Sequence, residues 1–426
     1  MADWEIESKG SLRGEIALPG DKSISHRSVI LGAIAKGTTR VRGWLKADDV
    51  QRTIQAFQML GVEIKIGDEL LIKGAGRSGL KPANQILDLG NSGTGLRLIS
   101  GILAGQTFES ILTGDETLRR RPMKRIIEPL ALMGAQIQSR ENGLAPLKIK
   151  GGNLTGIDYQ MPVASAQVKS AILLASVFAR GRTKITEPSR SRDHTENMLG
   201  YFGAQLKKAG LQIEFECGQD LSAQEIEVPG DISSAAFFII AGLIVPGSEI
   251  LIRKAGLNPT RTGILDALKM MGARIEILNL RSASGEPVGD LLIKSQPLKA
   301  IEIKGRLVPR LIDEIPILCV AATQAQGTTI IKDARELRVK ESDRIRSMAE
   351  ELKKLGAKVE ELEDGMVIEG PVALKGAEVQ SRQDHRVAMS LAVAGLAAEG
   401  KTIVRSVEWV DTSFPEFLKK LNQLVA

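Results

Sequence analysis

Leu18-Pro19-Gly20-Asp21-Lys22-Ser23-Ile24-Ser25-His26-Arg27 carries a Pro-Gly turn into a polar cluster, and residues 29–34 continue it as an apolar run. The pattern predicts a loop opening a helix, with Asp21 or Ser23 as N-cap. Backbone N–H groups, the positive end of the helix dipole and two nearby cations suit the same place to an anion. In a helix Ser23 and Arg27, four residues apart, lie on one face. On this stretch alone an ordinary capped helix and an anion site are both open. The turn then recurs as Pro229-Gly230-Asp231-Ile232-Ser233, the first sign of internal duplication.

The duplication goes further. An amphipathic helix ending in a Gly-Ala-like pair before a strand occurs at Gly61-Val62, Gly134-Ala135, Gly203-Ala204, Gly272-Ala273 and Gly356-Ala357, with a worn sixth copy at Leu421-Asn422-Gln423-Leu424. Glycine there fits a helix C-cap that needs a left-handed residue. Alternating with it, an apolar, Ala-rich helix ends in a glycine turn feeding a Thr/Ile/Val strand. These turns fall at Gly37, Gly105, Gly181, Gly247, Gly327 and Gly400. Six βαβαββ-like units follow. Helices such as Ala235-Ala236-Phe237-Phe238-Ile239-Ile240-Ala241 are apolar all round and belong inside, with sheets about them. The two Pro-Gly-Asp turns mark passages between domains. The expected fold is therefore α/β with two domains of three units each, 1–20 plus 230–426 and 21–229.

Composition narrows the function. A chain of 426 residues, 43% hydrophobic and 25% charged, is of globular type and long enough for two cores. Cys217 and Cys319 stand far apart, so neither a disulfide framework nor zinc-type spacing is present. No stretch reads as a membrane span, and the start, Met1-Ala2-Asp3-Trp4-Glu5-Ile6-Glu7, has no apolar signal core. A cytoplasmic protein without a membrane partner is expected. The net charge of +6 permits anionic partners. Its cations are dispersed and aromatics are only 3%, which favours small phosphorylated ligands over nucleic acid.

Each unit's buried helix begins with a polar turn: Asp21-Lys22-Ser23, Gly90-Asn91-Ser92-Gly93-Thr94, Ala164-Ser165-Ala166-Gln167, Asp231-Ile232-Ser233-Ser234, Ile312-Asp313-Glu314 and Gln383-Asp384-His385-Arg386. If the units are related by pseudo-symmetry, these helix starts would line a cleft of positive potential. The glycine loop at 90–95 lets a ligand approach the backbone, but it has neither Walker nor Rossmann spacing. Of Arg119-Arg120-Arg121, one or two are expected to be solvated, while Arg121 directly precedes the Pro that opens a helix. Ser191-Arg192-Asp193-His194-Thr195-Glu196 reads either as a capping box or as a ligand contact. Lys340-Glu341-Ser342-Asp343-Arg344 should open a helix with Lys340 and Arg344 on one face. No Ser-His-Asp or metal spacing emerges, and neither metal nor cofactor is expected. A cationic cleft with a few carboxylates for proton transfer remains.

In order along the chain, Leu18 to Arg27, Gly90-Asn91-Ser92-Gly93-Thr94, Arg121-Pro122-Met123, Ser165-Ala166-Gln167, Arg192-Asp193-His194-Thr195-Glu196, Ile312-Asp313-Glu314, Lys340-Glu341-Ser342-Asp343-Arg344 and Asp384-His385-Arg386 resemble the 5-enolpyruvylshikimate-3-phosphate synthase (3-phosphoshikimate 1-carboxyvinyltransferase) family over the whole length. The resemblance implies a two-domain inside-out α/β barrel, each domain made of three βαβαββ units, with the active site in the interdomain cleft. It also implies transfer of the enolpyruvyl group of phosphoenolpyruvate (PEP) to the 5-hydroxyl of shikimate 3-phosphate, in aromatic amino acid biosynthesis. On the same basis Asp313 is the base at the 5-hydroxyl, Glu341 the acid at C3 of PEP, and Lys22 an assistant in proton transfer and phosphate departure. Shikimate 3-phosphate would be held by Lys22, Ser23, Arg27, Ser165, Ala166, Gln167, Arg192, Asp313 and Lys340. PEP would be held by Lys22, Asn91, Gly93, Thr94, Arg121, Gln167, Glu341, Arg344, His385 and Arg386. The acids come from one domain and most shikimate contacts from the other, so closure is expected to assemble the site. A monomer is expected. Ala166, Leu98 and Thr412 stand where another branch has serine, proline and lysine, which places the chain nearer the bacterial branch called class II, and no lysine role is carried to position 412. The related enolpyruvyl transferase acting on UDP-N-acetylglucosamine is disfavoured, because its loop cysteine has no counterpart in residues 110–123.

Overall fold

The computed structural model describes residues 2–7 and 10–425. The chain forms two compact units. The first comprises residues 1–19, 230–281 and 287–426, and the second comprises 20–229 together with 282–286. Each unit has its own hydrophobic core.

Six buried helices organise the two cores: α1 (Lys22–Ile34), α2 (Gly93–Ala104) and α3 (Ala166–Ser176) in the second unit, and α4 (Ile232–Ile244), α5 (Ile315–Thr323) and α6 (His385–Leu396) in the first. Each begins at the polar turn picked out in the sequence. Side chains cap five of the six, namely Asp21, Ser92, Ser165, Asp231 and Asp384. Beyond the cap nearly every residue is buried; in α4 the run from Ile232 to Leu243 is fully so. Each Phe, Ile or Leu buried there contributes roughly 1.5–3 kcal/mol over its exposed state.

The sheets repeat one scheme. In the second unit, Lys36–Arg42, Glu109–Thr113 and Arg182–Thr186 each pair in parallel with a short strand on one side (Glu225–Glu227, Leu87–Asp88 and Asp158–Gln160) and antiparallel with a strand on the other, which itself heads a hairpin. In the first unit, Glu249–Gly256 and Ala325–Ile331 follow the same rule. The parallel partners need a crossover, and the buried helix supplies it between Leu87–Asp88 and Glu109–Thr113. The glycines of the Gly-Ala-like pairs hold positive φ, 85–111° across Gly61, Gly134, Gly203, Gly272 and Gly356.

The sixth copy keeps the rule with a strand from elsewhere: Lys401–Arg405 pairs in parallel with Glu378–Gln380 and antiparallel with Trp4–Glu7 from the chain's beginning. Leu421 to Leu424 sit inside a helix, Phe417–Leu424, and Val425 after it is extended. Trp4 and Phe417 stack with ring centroids 5.5 Å apart.

Candidate active site in two half-sites

In the second unit Asp21, not Ser23, caps α1, accepting from the Ile24 N–H at 2.8 Å. Ser23 lies in the first turn, one turn from Arg27 as expected, and its carbonyl accepts from Arg27 Nη1 at 2.9 Å. Lys22 Nζ reaches Asp49 Oδ2 at 3.0 Å. Arg27 is buried, and burial pulls its pKa down to about 10 against the opposing influence of Glu196 and Asp21. His26 packs wholly inside with Nδ1 2.9 Å from Thr53 Oγ1. Burial, then the Lys22 and Arg27 charges, hold its pKa well below 6.5, so it is neutral at physiological pH.

The glycine loop brings a second group together. Arg121 is buried, whereas Arg119 and Arg120 are exposed and Arg120 pairs with Glu116. Arg121 Nη2 donates to Asn91 Oδ1 at 2.5 Å, and Asn91 Nδ2 donates to Asp115 at 2.9 Å. Gly93 has a reason to be glycine, since a Cβ there would lie 3.2 Å from Arg121 Nη1 and 3.3 Å from Arg97 Nη1. Two guanidinium groups thus face bare backbone at a helix start. Arg97, one turn into α2, holds Gln167 Oε1 at 2.5 Å, and Gln167 Nε2 donates to Thr94 Oγ1 at 3.0 Å. Ser165, Ala166 and Gln167 open α3 partly exposed, and Arg192 is half-buried. The capping-box reading of 191–196 is corrected. Asp193 occupies the N-cap of the helix His194–Tyr201 without capping it, because its carboxylate faces Arg190 and Lys208, while Glu196 turns inward to Lys169.

In the first unit the carboxylates and arginines of three helix starts converge. Arg344, only 1% exposed, donates from Nε to Asp384 at 2.8 Å, from Nη2 to Glu341 at 2.7 Å and from Nη1 to Asp313 at 3.3 Å. Burial would lower its pKa, but Asp384, Glu341 and Asp313 outweigh that and raise it. The Arg344 charge in turn keeps the buried Asp384 below its usual range despite desolvation. Arg386 Nη1 donates to the Asp313 carbonyl at 2.9 Å, and His385 is buried beside it. Lys340 is partly buried, and desolvation lowers its pKa despite Asp313 and Glu336. The shared helical face expected for Lys340 and Arg344 is not formed. Asp343 caps the helix Arg344–Lys354 by accepting from Arg346 N, so Lys340 and Glu341 lie in the approach to it.

Chemically the two half-sites differ. The second unit offers cations and hydroxyls for an anion; the first offers two partly exposed carboxylates, Asp313 and Glu341, held by buried arginines and able to exchange protons. Sequence reasoning missed Asp49 and Arg97 as working members of these clusters, and placed Asp384 in a polar helix start without giving it a role. The signal for Arg97 was its place four residues after Gly93 on the same helix; Asp49 reveals itself only through its spatial partner.

Residues 6–421 match the sequence model of EPSP synthase (3-phosphoshikimate 1-carboxyvinyltransferase). A 3-phosphoshikimate 1-carboxyvinyltransferase of Geotalea uraniireducens is 55% identical over the whole of both chains, and that of Geobacter sulfurreducens is 56% identical over 97% of each. The structure of an EPSP synthase from Acinetobacter baumannii superposes with a TM-score of 0.89 at 47% identity, covering 99% of this chain and 98% of that one.

Proposed function

This chain belongs to the EPSP synthase family, and from that premise we propose how its own residues carry out the family's reaction. The enzyme transfers the enolpyruvyl group of PEP to shikimate 3-phosphate in the shikimate pathway. The observation that carries the assignment of roles is the carboxylate pair, Asp313 and Glu341, anchored on one buried arginine, Arg344.

An enol phosphate becomes electrophilic at C2 only as C3 gains a proton, so the addition needs an acid at C3 and a base at the attacking hydroxyl. Glu341 takes the first role and Asp313 the second. The 5-hydroxyl oxygen bonds to C2, its proton goes to Asp313, and C3 becomes a methyl group. The resulting ketal then loses a proton from C3 and phosphate from C2, which restores the double bond. Lys22, Arg121, Arg344 and Arg386 bind the carboxylate and phosphate of PEP and stabilise the anionic intermediate with charges already in place. His385 sits at the same helix start as Arg386. Asn91, Gly93, Thr94 and Gln167 complete that subsite, and at Gly93 no side chain stands between the backbone and the Arg121 and Arg97 guanidinium groups. Ser23, Arg27, Ser165, Ala166, Gln167, Arg192 and Lys340 hold shikimate 3-phosphate with Lys22. All these roles fall within a single chain, so each copy carries a full set of site residues; a monomer is proposed, testable by light scattering. The cysteines Cys217 and Cys319 are free thiols, in keeping with a reducing cytoplasm.

Proton and phosphorus NMR of an incubation with PEP and shikimate 3-phosphate should show equal growth of a new vinylidene pair and of inorganic phosphate. Product forming instead with UDP-N-acetylglucosamine would contradict the reading.

A further inference from the structure

We propose that Ser170 and Thr195 are positioning residues that fix the guanidinium of Arg27 for shikimate 3-phosphate, a proposal that rests on the assignment of Arg27 to that substrate. Arg27 Nε donates to Thr195 Oγ1 at 2.6 Å and Nη2 donates to Ser170 Oγ at 2.8 Å. The two hydroxyls are themselves 2.6 Å apart. These three contacts close a ring among α1, α3 and the helix His194–Tyr201. With the Nη1 bond to Ser23 carbonyl, three of the five guanidinium N–H groups are used within the protein, and one on each terminal nitrogen is left for an anion.

The ring has a rigid foundation. Lys169, next to Ser170, is 1% exposed, and its Nζ lies 2.9 Å from Glu187 and 2.7 Å from Glu196. Two adjacent rungs, Lys169–Glu196 and Ser170–Thr195, therefore pin the start of the helix His194–Tyr201 to α3. A third tie, His194 Nδ1 to Glu286 Oε1 at 2.8 Å, precedes them. These buried pairs fix the start of a helix that has no side-chain cap. Glu196 also supplies the strongest of the carboxylate influences on Arg27. An arginine side chain has many rotamers, and ordering it before the substrate arrives removes that cost from binding. Thr195 and Ser170 perform that ordering without touching the anion themselves.

Steady-state kinetics and thermal melting of Thr195→Val, Ser170→Ala, Thr195→Ser and Arg27→Ala test this. Thr195→Val and Ser170→Ala should each raise KM for shikimate 3-phosphate roughly tenfold, leaving KM for PEP and kcat within about twofold. Thr195→Ser, which keeps the hydroxyl, should restore KM to within about threefold of wild type. Arg27→Ala should raise it further than either. If Arg27→Ala raises KM and both hydroxyl deletions leave it unchanged, the positioning proposal is overturned while the Arg27 assignment stands. If Arg27→Ala itself has no effect, the assignment fails and takes the proposal with it. A parallel rise in both KM values with a lowered melting point and no rescue by Thr195→Ser would show a purely structural role and overturn the proposal. Should Thr195→Val fail to fold, Ser170→Ala and Thr195→Ser decide by the same criteria.

Discussion

The turns Pro19-Gly20-Asp21-Lys22-Ser23 and Pro229-Gly230-Asp231-Ile232-Ser233 build the same backbone and do different things with it. Each presents an aspartate that caps a buried thirteen-residue helix. In the second unit Lys22 and Ser23 remain partly exposed and Arg27 uses three of its five N–H groups within the protein. In the first unit Ile232 replaces the lysine and is buried, and Phe237 stands where Arg27 would be, packed edge-on against Phe417 at 5.7 Å. There Arg261 closes on Asp231 at 3.1 Å and Ser233 at 2.6 Å, and Ser233 donates to the buried Glu314. One turn keeps Lys22 and Ser23 partly exposed, and the other is covered by its own chain. Duplication supplies the frame, and a few side chains decide whether it becomes a site.

The largest effect should come from the residues that have no equivalent at the open turn. Asp313→Asn and Glu341→Gln should each lower kcat by roughly 10²- to 10⁴-fold, the usual share of acid–base catalysis, with the melting point close to wild type. A turnover near wild type would remove those roles. Next, Arg261→Met leaves the buried Asp231 without its ion-pair partner. Urea unfolding should show a loss of about 3–5 kcal/mol, and a loss below 1 kcal/mol would mean that the closed turn is not held by this cluster.

The comparison is sharpest at Arg27 and Phe237. Arg27→Ala removes charge-assisted bonds worth about 1.5–3 kcal/mol and should raise KM for shikimate 3-phosphate by roughly 10- to 100-fold. Phe237→Leu should cost about 1–3 kcal/mol of stability and leave that KM alone. Equal effects on KM would erase the distinction between the two turns. The smallest expected effect is a pH dependence. The unfolded chain protonates His26 near its ordinary 6.5, while burial keeps the folded form neutral well below that. The unfolded state therefore binds the extra proton, and this contribution is fully present above about pH 6.5 and declines by up to about 1.4 kcal/mol per pH unit below it. His26→Gln should flatten that decline in melts between pH 7 and 5; an unchanged slope would assign it elsewhere.

What the sequence reveals is what local chemistry determines. Gly-Ala helix ends, polar helix starts and apolar helices announce themselves because capping and burial act over a few residues, so six repeats and the α/β architecture were readable. The sixth copy is worn, and its sheet takes Trp4–Glu7 from the far end of the chain, a pairing no local pattern indicates. Lys340 and Arg344 have helical spacing, yet Asp343 starts the helix between them. The buried ties Lys169–Glu196, Arg97–Gln167 and Arg344–Asp384 join residues 27 to 70 positions apart, and no periodicity in one sequence indicates such partners.

Phosphate release tests the central claim most directly, measured with PEP alone, shikimate 3-phosphate alone, the two together, and PEP with UDP-N-acetylglucosamine. Release should require PEP and shikimate 3-phosphate together. Release from PEP alone, or with UDP-N-acetylglucosamine but not with shikimate 3-phosphate, would contradict the account.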